Sequence, residues 1–282
     1  VSPAKTLDFD SPVSGHVATR PEFTRDAARL IDGLRELPSE AIRKLMSISP
    51  ELAALNHARF RDWRARAPAR ATRPALLAFR GDVYLGMRAG DFSVAEFAFA
   101  QEHLRILSGL YGVLRPLDAI QPYRLEMGTQ FANARGRNLY EFWGARIADA
   151  LEAQARATGA RELVNLASQE YFRAVAVERL SLPVITPVFK ENRGGTLKIV
   201  SFSAKRARGA MAGFAIRHRL QRAAELKDFA EDGYRFEPAN LTIKAGDGDV
   251  FLAGGVETAS RFPFGMADGP KNPVFADAEA HS

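Results

Sequence analysis

The sequence contains no cysteine. Without a thiol the chain cannot form disulfides, bind zinc or an iron–sulfur cluster through sulfur, or carry out thiol-based peroxidase chemistry. Histidine is also scarce, and no two histidines stand at the i, i+4 spacing that a helical metal site uses. The five are His16, His57, His103, His218 and His281. The spacing therefore predicts no metal site, and we expect no cofactor.

Long hydrophobic runs are absent as well. No apolar run approaches the roughly 20 residues that a membrane-spanning helix needs. The amino terminus, "VSPAKTLDFDSP", lacks the apolar core of a secretory signal. Hydrophobic residues make up 46% and charged residues 26% of the chain, which is typical of a soluble globular protein. We therefore expect a cytoplasmic protein without a membrane partner, and the sequence indicates no oligomeric state.

Acidic residues are missing from one long segment. The net charge is +6, but no Asp or Glu lies between Asn192 and Ala224. The cations of this segment are Arg193, Lys198, Lys205, Arg206, Arg208, Arg217, Arg219 and Arg222. The apolar spacing predicts a helix that begins near Ser203 and carries cations on both margins of an apolar stripe. Such a surface suits a phosphate backbone. The alternative is a solvated helix whose cations pair with acids from elsewhere in the fold.

Helical and strand-like patterns alternate along the chain. Residues 22–65 and the stretches "FSVAEFAFAQEHLRIL", "NLYEFWGARIADALEAQA" and "KRARGAMAGFAIRHRLQRAAEL" read as helices, whereas "ELVNLAS", "LPVITPVFK" and "TLKIVSFSA" read as strands. This interspersion predicts a single α/β (α+β) domain over residues 1–253, with a mixed β-sheet surrounded by helices. Residues 254–282 are rich in Gly and Pro without periodicity, which predicts a tail.

The stretch "LRILSGLYGVLRP", residues 104–116, contains two glycines, Gly109 and Gly112. A glycine after a helical pattern is most often a helix C-cap. Two glycines that bracket apolar residues can instead form a tight hairpin whose backbone N–H groups hold a phosphate, as in the helix-hairpin-helix element of DNA repair proteins. The spacing is one residue longer than in that element, and Pro116 arrives early. Both interpretations remain open at this point.

Polar residues also gather at the predicted ends of strands and helices, where α/β folds usually build sites. A lysine beside a carboxylate there is able to act as a nucleophile or base. The second hypothesis is therefore an enzyme acting on nucleic acid or nucleotides, for example by excising bases. Its candidate catalytic residues are Lys5, Asp82, Tyr123, Arg124, Glu126 and Lys205. Each cluster taken alone is equally consistent with ordinary turns and caps. No phosphate-binding P-loop, Gly-x-Ser-x-Gly motif or dinucleotide fingerprint is present.

Taken in order, the quoted motifs resemble those of the YaaA peroxide-stress protein family. They are "SPAKTLDF", "FRGDVYLGM", "LRILSGLYGVLRPLDAIQPYRLEMGT", "NLYEFWG", "VNLASQEYF", "PVFKE" and "SFSAKRARGAMAGF". The resemblance covers roughly Ser2 to Phe236. It implies a cytoplasmic bacterial protein of the hydrogen peroxide response, linked to recombinational DNA repair and to limiting free iron. It also implies one α/β domain with a positively charged cleft and a helix-hairpin-helix-like element.

By this resemblance the protein binds DNA, either duplex or branched repair intermediates, through phosphates and with little base readout. The residues matched to this role are Ser108, Gly109, Leu110, Tyr111, Gly112, Arg115, Lys205, Arg206 and Arg208. A third hypothesis is direct iron binding, for which carboxylates are the main available ligands. We rank these hypotheses in the order DNA binding, an enzyme on nucleic acid, and iron binding.

Overall fold

The computed structural model of the protein describes residues 1–12, 15–193, 196–238 and 250–254. Three helices follow one another near the amino terminus, as the apolar spacing predicts: α1 (Thr24–Arg35), α2 (Ser39–Met46) and α3 (Pro50–Asp62). The Ser49 side chain caps α3 by accepting a hydrogen bond from the backbone N–H of Leu52. These helices form the first part of the core.

The remaining helices are distributed between strands. Within the described residues they are α4 (Ala75–Ala78), α5 (Asp82–Met87), α6 (Val94–His103), α7 (Leu139–Trp143), α8 (Arg146–Thr158), α9 (Gln169–Phe172) and α10 (Ser201–Arg217). Short 3₁₀ turns lie at Ala69–Ala71, Ala89–Asp91, Val177–Arg179 and Ala223–Asp228. The alternation of helix and strand confirms the predicted α/β composition.

Most strands are only two or three residues long. In chain order they are β1 (Thr6–Leu7), β2 (Arg73–Pro74), β3 (Phe79–Arg80), β4 (Ile106–Ser108), β5 (Gly112–Leu114), β6 (Ala119–Ile120), β7 (Leu163–Val164), β8 (Val184–Ile185), β9 (Val188–Arg193), β10 (Thr196–Lys198), β11 (Phe236–Pro238) and β12 (Val250–Gly254).

These strands form several small sheets. Antiparallel pairs join β1 to β3, β2 to β6 and β4 to β5, and a parallel pair joins β7 to β8. A four-stranded sheet has the order β10-β9-β12-β11. The prediction of one mixed sheet is therefore wrong for the part of the chain that the structure describes. Strands as short as β3, which lies between α4 and α5, offer too few backbone groups to build a wide sheet.

One hydrophobic cluster includes residues from Ala27 to Tyr234. The largest of its fully buried side chains are Trp143, Tyr111, Phe60, Phe79 and Phe142. The rings of Tyr111 and Tyr123 meet edge to face, with centroids 5.4 Å apart. The β4–β5 hairpin lies inside this cluster, so its surroundings are aromatic and closely packed.

Helices α5 and α10 touch backbone to backbone. A Cβ atom on Gly209 would overlap the carbonyl oxygen of Val83, and a Cβ atom on Gly86 would overlap the carbonyl oxygen of Arg206. Glycine is required at such positions because any side chain would push the two backbones apart. The contact fixes the place of α10, which is the helix predicted to carry the basic surface.

The predicted tail, residues 254–282, lies outside the described residues except for residue 254 at the end of β12. Among the helices that the structure describes, none combines the length and the apolar character that crossing a membrane requires.

Candidate functional site

Helix α10 carries the basic residues, and it begins at Ser201, two residues before the expected start. Lys205 and Arg206 are exposed, and Arg208 is partly buried. Burial lowers the pKa of the Arg208 guanidinium. Arg206 forms an ion pair of 3.2 Å with Asp232, so an acid from outside the segment neutralises that cation. Among the described residues, no carboxylate pairs with Lys205 or Arg208.

The stretch from Ser108 to Gly112 is a buried β-hairpin. It joins β4 to β5, and Ser108 and Leu110 are both 0% exposed. The hydroxyl of Ser108 accepts a hydrogen bond of 2.9 Å from the backbone N–H of Tyr111. The prediction of a helix-hairpin-helix element at this place is therefore wrong. An anion in solution cannot reach these amides, because they lie within the hydrophobic core.

The two glycines of the hairpin have packing roles. Gly112 has a φ of 68°, a left-handed conformation that glycine adopts readily. A Cβ atom on Gly109 would overlap the carbonyl oxygen of Leu125. The carbonyl oxygen of Gly109 itself accepts a 3.0 Å hydrogen bond from the indole N–H of Trp143. Both glycines thus permit a close approach within the protein, and not the approach of a phosphate.

Arg115 follows the hairpin and is also engaged within the fold. Its guanidinium pairs with Asp118 at 2.8 Å and donates a hydrogen bond to the carbonyl oxygen of Arg20. Asp118 is 1% exposed. A buried carboxylate needs such a partner, so Arg115 is engaged within the fold, with its side chain 38% exposed.

Three residues of the second hypothesis meet at one carboxylate oxygen. The Lys5 amine lies 3.4 Å from Oε1 of Glu126, and Arg124 contacts the same oxygen through Nη2 at 2.9 Å and Nε at 3.1 Å. The Lys5 side chain is 67% exposed, whereas those of Glu126 and Arg124 are 18% and 17% exposed. We refer to Lys5, Arg124 and Glu126 as the lysine–glutamate cluster. It combines an accessible amine with a sheltered carboxylate.

Strand register and helix spacing locate Asp82 and Lys205, two further residues of that hypothesis. Strand β1 pairs with β3 so that Thr6 faces Arg80, and continuing this antiparallel register places Lys5 beside Gly81, directly before Asp82. Residues 205 and 209 share a helix face because they are four positions apart. Since Gly209 contacts Val83, Lys205 lies toward the start of α5. The register thus places Asp82 next to the residue opposite Lys5, and the Gly209–Val83 contact places Lys205 toward the start of α5.

Buried tyrosines form the floor of this region. The hydroxyl groups of Tyr123 and Ser108 are 2.6 Å apart, and the hydroxyl of Tyr84 donates to the carbonyl oxygen of Ser2. Burial raises the pKa of Tyr84, Tyr123 and Tyr171. These phenols therefore stay neutral at physiological pH.

Four further residues of the polar clusters were not among the predicted catalytic residues: Tyr84, Tyr171, Ser2 and Ser168. The hydroxyl of Ser2 lies 3.2 Å from that of Ser168 and accepts a hydrogen bond from its backbone N–H. The sequence feature that pointed to these residues was their occurrence in the motifs "SPAKT", "RGDVYLG" and "NLASQEYF". Among the described residues, no three His, Asp or Glu side chains come together as a metal-binding group.

Comparisons with known proteins agree on one family. A family model described as peroxide stress protein YaaA matches residues 1–240. A UPF0246 protein of Saccharophagus degradans is 52% identical over 239 residues, which is 85% of this chain and 93% of the relative. A UPF0246 protein of Paraburkholderia xenovorans is 54% identical, covering 84% of this chain and 92% of the relative. One from Cellvibrio japonicus is 53% identical, covering 85% and 93%. The chain therefore belongs to the peroxide stress protein YaaA family.

Proposed function

We propose that this protein binds the phosphate backbone of DNA through α10 and thereby protects DNA or aids its repair during peroxide stress. The observation that carries the proposal is that Lys205 and the partly buried Arg208 lie three positions apart on α10, within a segment that has no Asp or Glu from Asn192 to Ala224. No carboxylate pairs with Arg208 in the described part of the chain. An unpaired guanidinium with reduced hydration is stabilised by an anionic partner. A phosphate is such a partner, and it can accept two parallel hydrogen bonds from one guanidinium.

Lys205 adds a second cation to the same face. Residues 205 and 208 are three positions apart on α10 and are therefore neighbours on its surface. The backbone contact between Gly209 and Val83 holds this part of the helix in place. Arg206 contributes less to the attraction, because Asp232 already neutralises it. The hairpin amides and Arg115 take no part in this interface.

The test is a double charge reversal, Lys205→Glu with Arg208→Glu. Affinity for fluorescent duplexes of different sequence is measured by anisotropy over a range of sodium chloride concentrations. Loss of two phosphate contacts reduces the slope of log K against log salt by about 1.8. Affinity should fall equally for all sequences, because contacts to phosphates carry no sequence information.

A matched control is Lys44→Glu with Arg59→Glu. Lys44 is exposed on α2, and Arg59 is partly buried on α3 with a pKa that burial also lowers. That region contains acids such as Glu40, 3.9 Å from Lys44. The control should keep the affinity and the salt slope of the original protein. Unchanged binding and slope in the α10 variant, with its fold confirmed by circular dichroism, would overturn the proposal.

A further inference from the structure

The Lys5 contact adds little to the stability of the lysine–glutamate cluster, because Arg124 already pairs with the sheltered Glu126 carboxylate at 2.9 Å. Exposed ion pairs contribute about 0–1 kcal/mol, and Lys5 is two-thirds exposed. All three contacts from Lys5 and Arg124 reach Oε1 of Glu126. Within the described residues, the other oxygen, Oε2, has no hydrogen-bond partner. The cluster thus offers an amine and a free carboxylate oxygen side by side.

Its location connects the cluster to the proposed DNA surface. Lys5 lies beside the start of α5 through the β1–β3 register, and α10 packs its backbone against α5 at Val83. The inference requires that a DNA strand held by Lys205 and Arg208 run past the cluster. A deoxyribose that has lost its base exposes an aldehyde at C1′. An amine readily forms a covalent bond with this aldehyde.

We propose that Lys5 forms a Schiff base with the C1′ aldehyde of abasic sites in DNA, and that Glu126 is the base that completes strand cleavage by β-elimination. This inference rests on the proposed DNA binding and deepens it by naming the substrate class. Lysine amines are established nucleophiles toward carbonyl carbons, and a positioned carboxylate is a suitable general base.

The reaction balances without a further reagent apart from water. The Lys5 ammonium, which is paired with Glu126, first gives one proton to water. The free amine then adds to C1′ of the open-chain sugar, the N–C1′ bond forms, and the aldehyde oxygen leaves as water. Oε2 of Glu126 then takes a proton from C2′. The electron pair forms the C2′=C3′ double bond, and the C3′–O bond breaks so that the 3′ phosphate leaves with its strand. Water finally hydrolyses the imine and returns the Lys5 amine.

The first experiment uses a labelled duplex with one abasic site and sodium borohydride, which reduces the imine to a stable adduct. We expect a covalent protein–DNA adduct that mass spectrometry maps to Lys5. Lys5→Arg should lose the adduct, and its affinity for the abasic duplex is measured in parallel so that a loss of binding is not mistaken for a loss of the nucleophile. Lys44→Arg is the matched control, because Lys44 is also exposed and lies 3.9 Å from a glutamate, Glu40; it should form the adduct normally.

The role of Glu126 is tested separately. Without reductant, Glu126→Gln should cleave the abasic strand about 10²–10⁴-fold more slowly, the usual contribution of a general base. The same variant should still form the borohydride adduct, since Lys5 is intact. Equal cleavage rates in Glu126→Gln and the original protein would overturn this part of the inference.

A probe that needs no DNA binding separates this inference from the proposed function. The protein is incubated with 2-deoxyribose 5-phosphate and sodium cyanoborohydride, and labelled lysines are identified by mass spectrometry. Faster labelling of Lys5 than of Lys44 supports the nucleophile even if duplex affinity is absent. Equal labelling of the two lysines, or an adduct that persists in Lys5→Arg with abasic DNA, would refute it. Binding of abasic DNA without adduct or cleavage would refute it and leave the proposed function standing.

Discussion

Replacing Gly112 by alanine should destabilise the protein and leave the DNA affinity of the folded protein unchanged. An alanine at a φ of 68° costs about 1–2 kcal/mol, because its Cβ atom meets its own carbonyl oxygen. The new Cβ atom would also lie 2.7 Å from Cζ3 of Trp143, and Trp143 is 0% exposed. Such overpacking costs typically about 1–3 kcal/mol. The sum is about 2–5 kcal/mol, a large share of the stability of an ordinary domain.

Three other glycines separate the two contributions. Gly159 also has a φ of 68°, but nothing lies within 4 Å of its Cβ position, so Gly159→Ala should cost only the conformational part. Gly109 has no positive φ but lies against Leu125, so Gly109→Ala should show the crowding alone. Gly90 has neither feature, and Gly90→Ala should change stability by less than about 1 kcal/mol.

Urea titrations followed by circular dichroism measure the free energy of unfolding of the four glycine variants and of the original protein. Anisotropy measures the affinity of each variant for duplex DNA. A hairpin that binds phosphate would give the opposite pattern. Gly112→Ala would then be nearly as stable as the original protein and would lose DNA affinity. That result would refute the assignment of the hairpin to the core and restore the helix-hairpin-helix interpretation.

Two further predictions concern polar groups. Ser108→Ala leaves two buried groups without their hydrogen-bond partner, the N–H of Tyr111 and the hydroxyl of Tyr123. It should lower the free energy of unfolding by about 1–3 kcal/mol for each group, as measured by urea titration. Tyr123→Phe keeps the bond between Ser108 and the N–H of Tyr111 and should lower it less. Hydrogen bonds from Ser11 hold the pKa of Asp8 below its usual value, so the stability that this carboxylate contributes is complete above about pH 4 and is lost as the pH falls below it. The difference in unfolding free energy between the original protein and Asp8→Asn should therefore shrink in acid, and a constant difference down to low pH would contradict this.

The sequence predicted local structure better than tertiary structure. The α1 helix follows from apolar residues at helical spacing, with Leu30, Ile31 and Leu34 buried as the pattern requires. The basic helix was also predicted, because its cations and apolar stripe repeat within one segment. The stretch after α6 was predicted wrongly. Its apolar residues continue the helical pattern, yet α6 ends at His103 and a strand follows.

The errors share a physical origin. The positions of Gly109 and Gly112 are explained by Leu125 and Trp143, which the chain brings to them from other elements. The lysine–glutamate cluster also depends on tertiary structure, since Lys5 and Glu126 meet only after folding. Composition and motifs named Lys5, Arg124 and Glu126 as candidates, but nothing in their spacing indicates that one oxygen atom joins them.

The backbone contact between α5 and α10 has a thermodynamic consequence for association. Because Gly209 and Gly86 place the main chains in direct contact, no intervening side chain has to choose a rotamer when a ligand arrives. We infer that the backbone platform that carries Lys205 and Arg208 is preorganised, so that the proposed binding would lose little conformational entropy beyond that of the two long side chains themselves. On the proposed function, association with DNA should then be governed mainly by released counterions, with a small change in heat capacity.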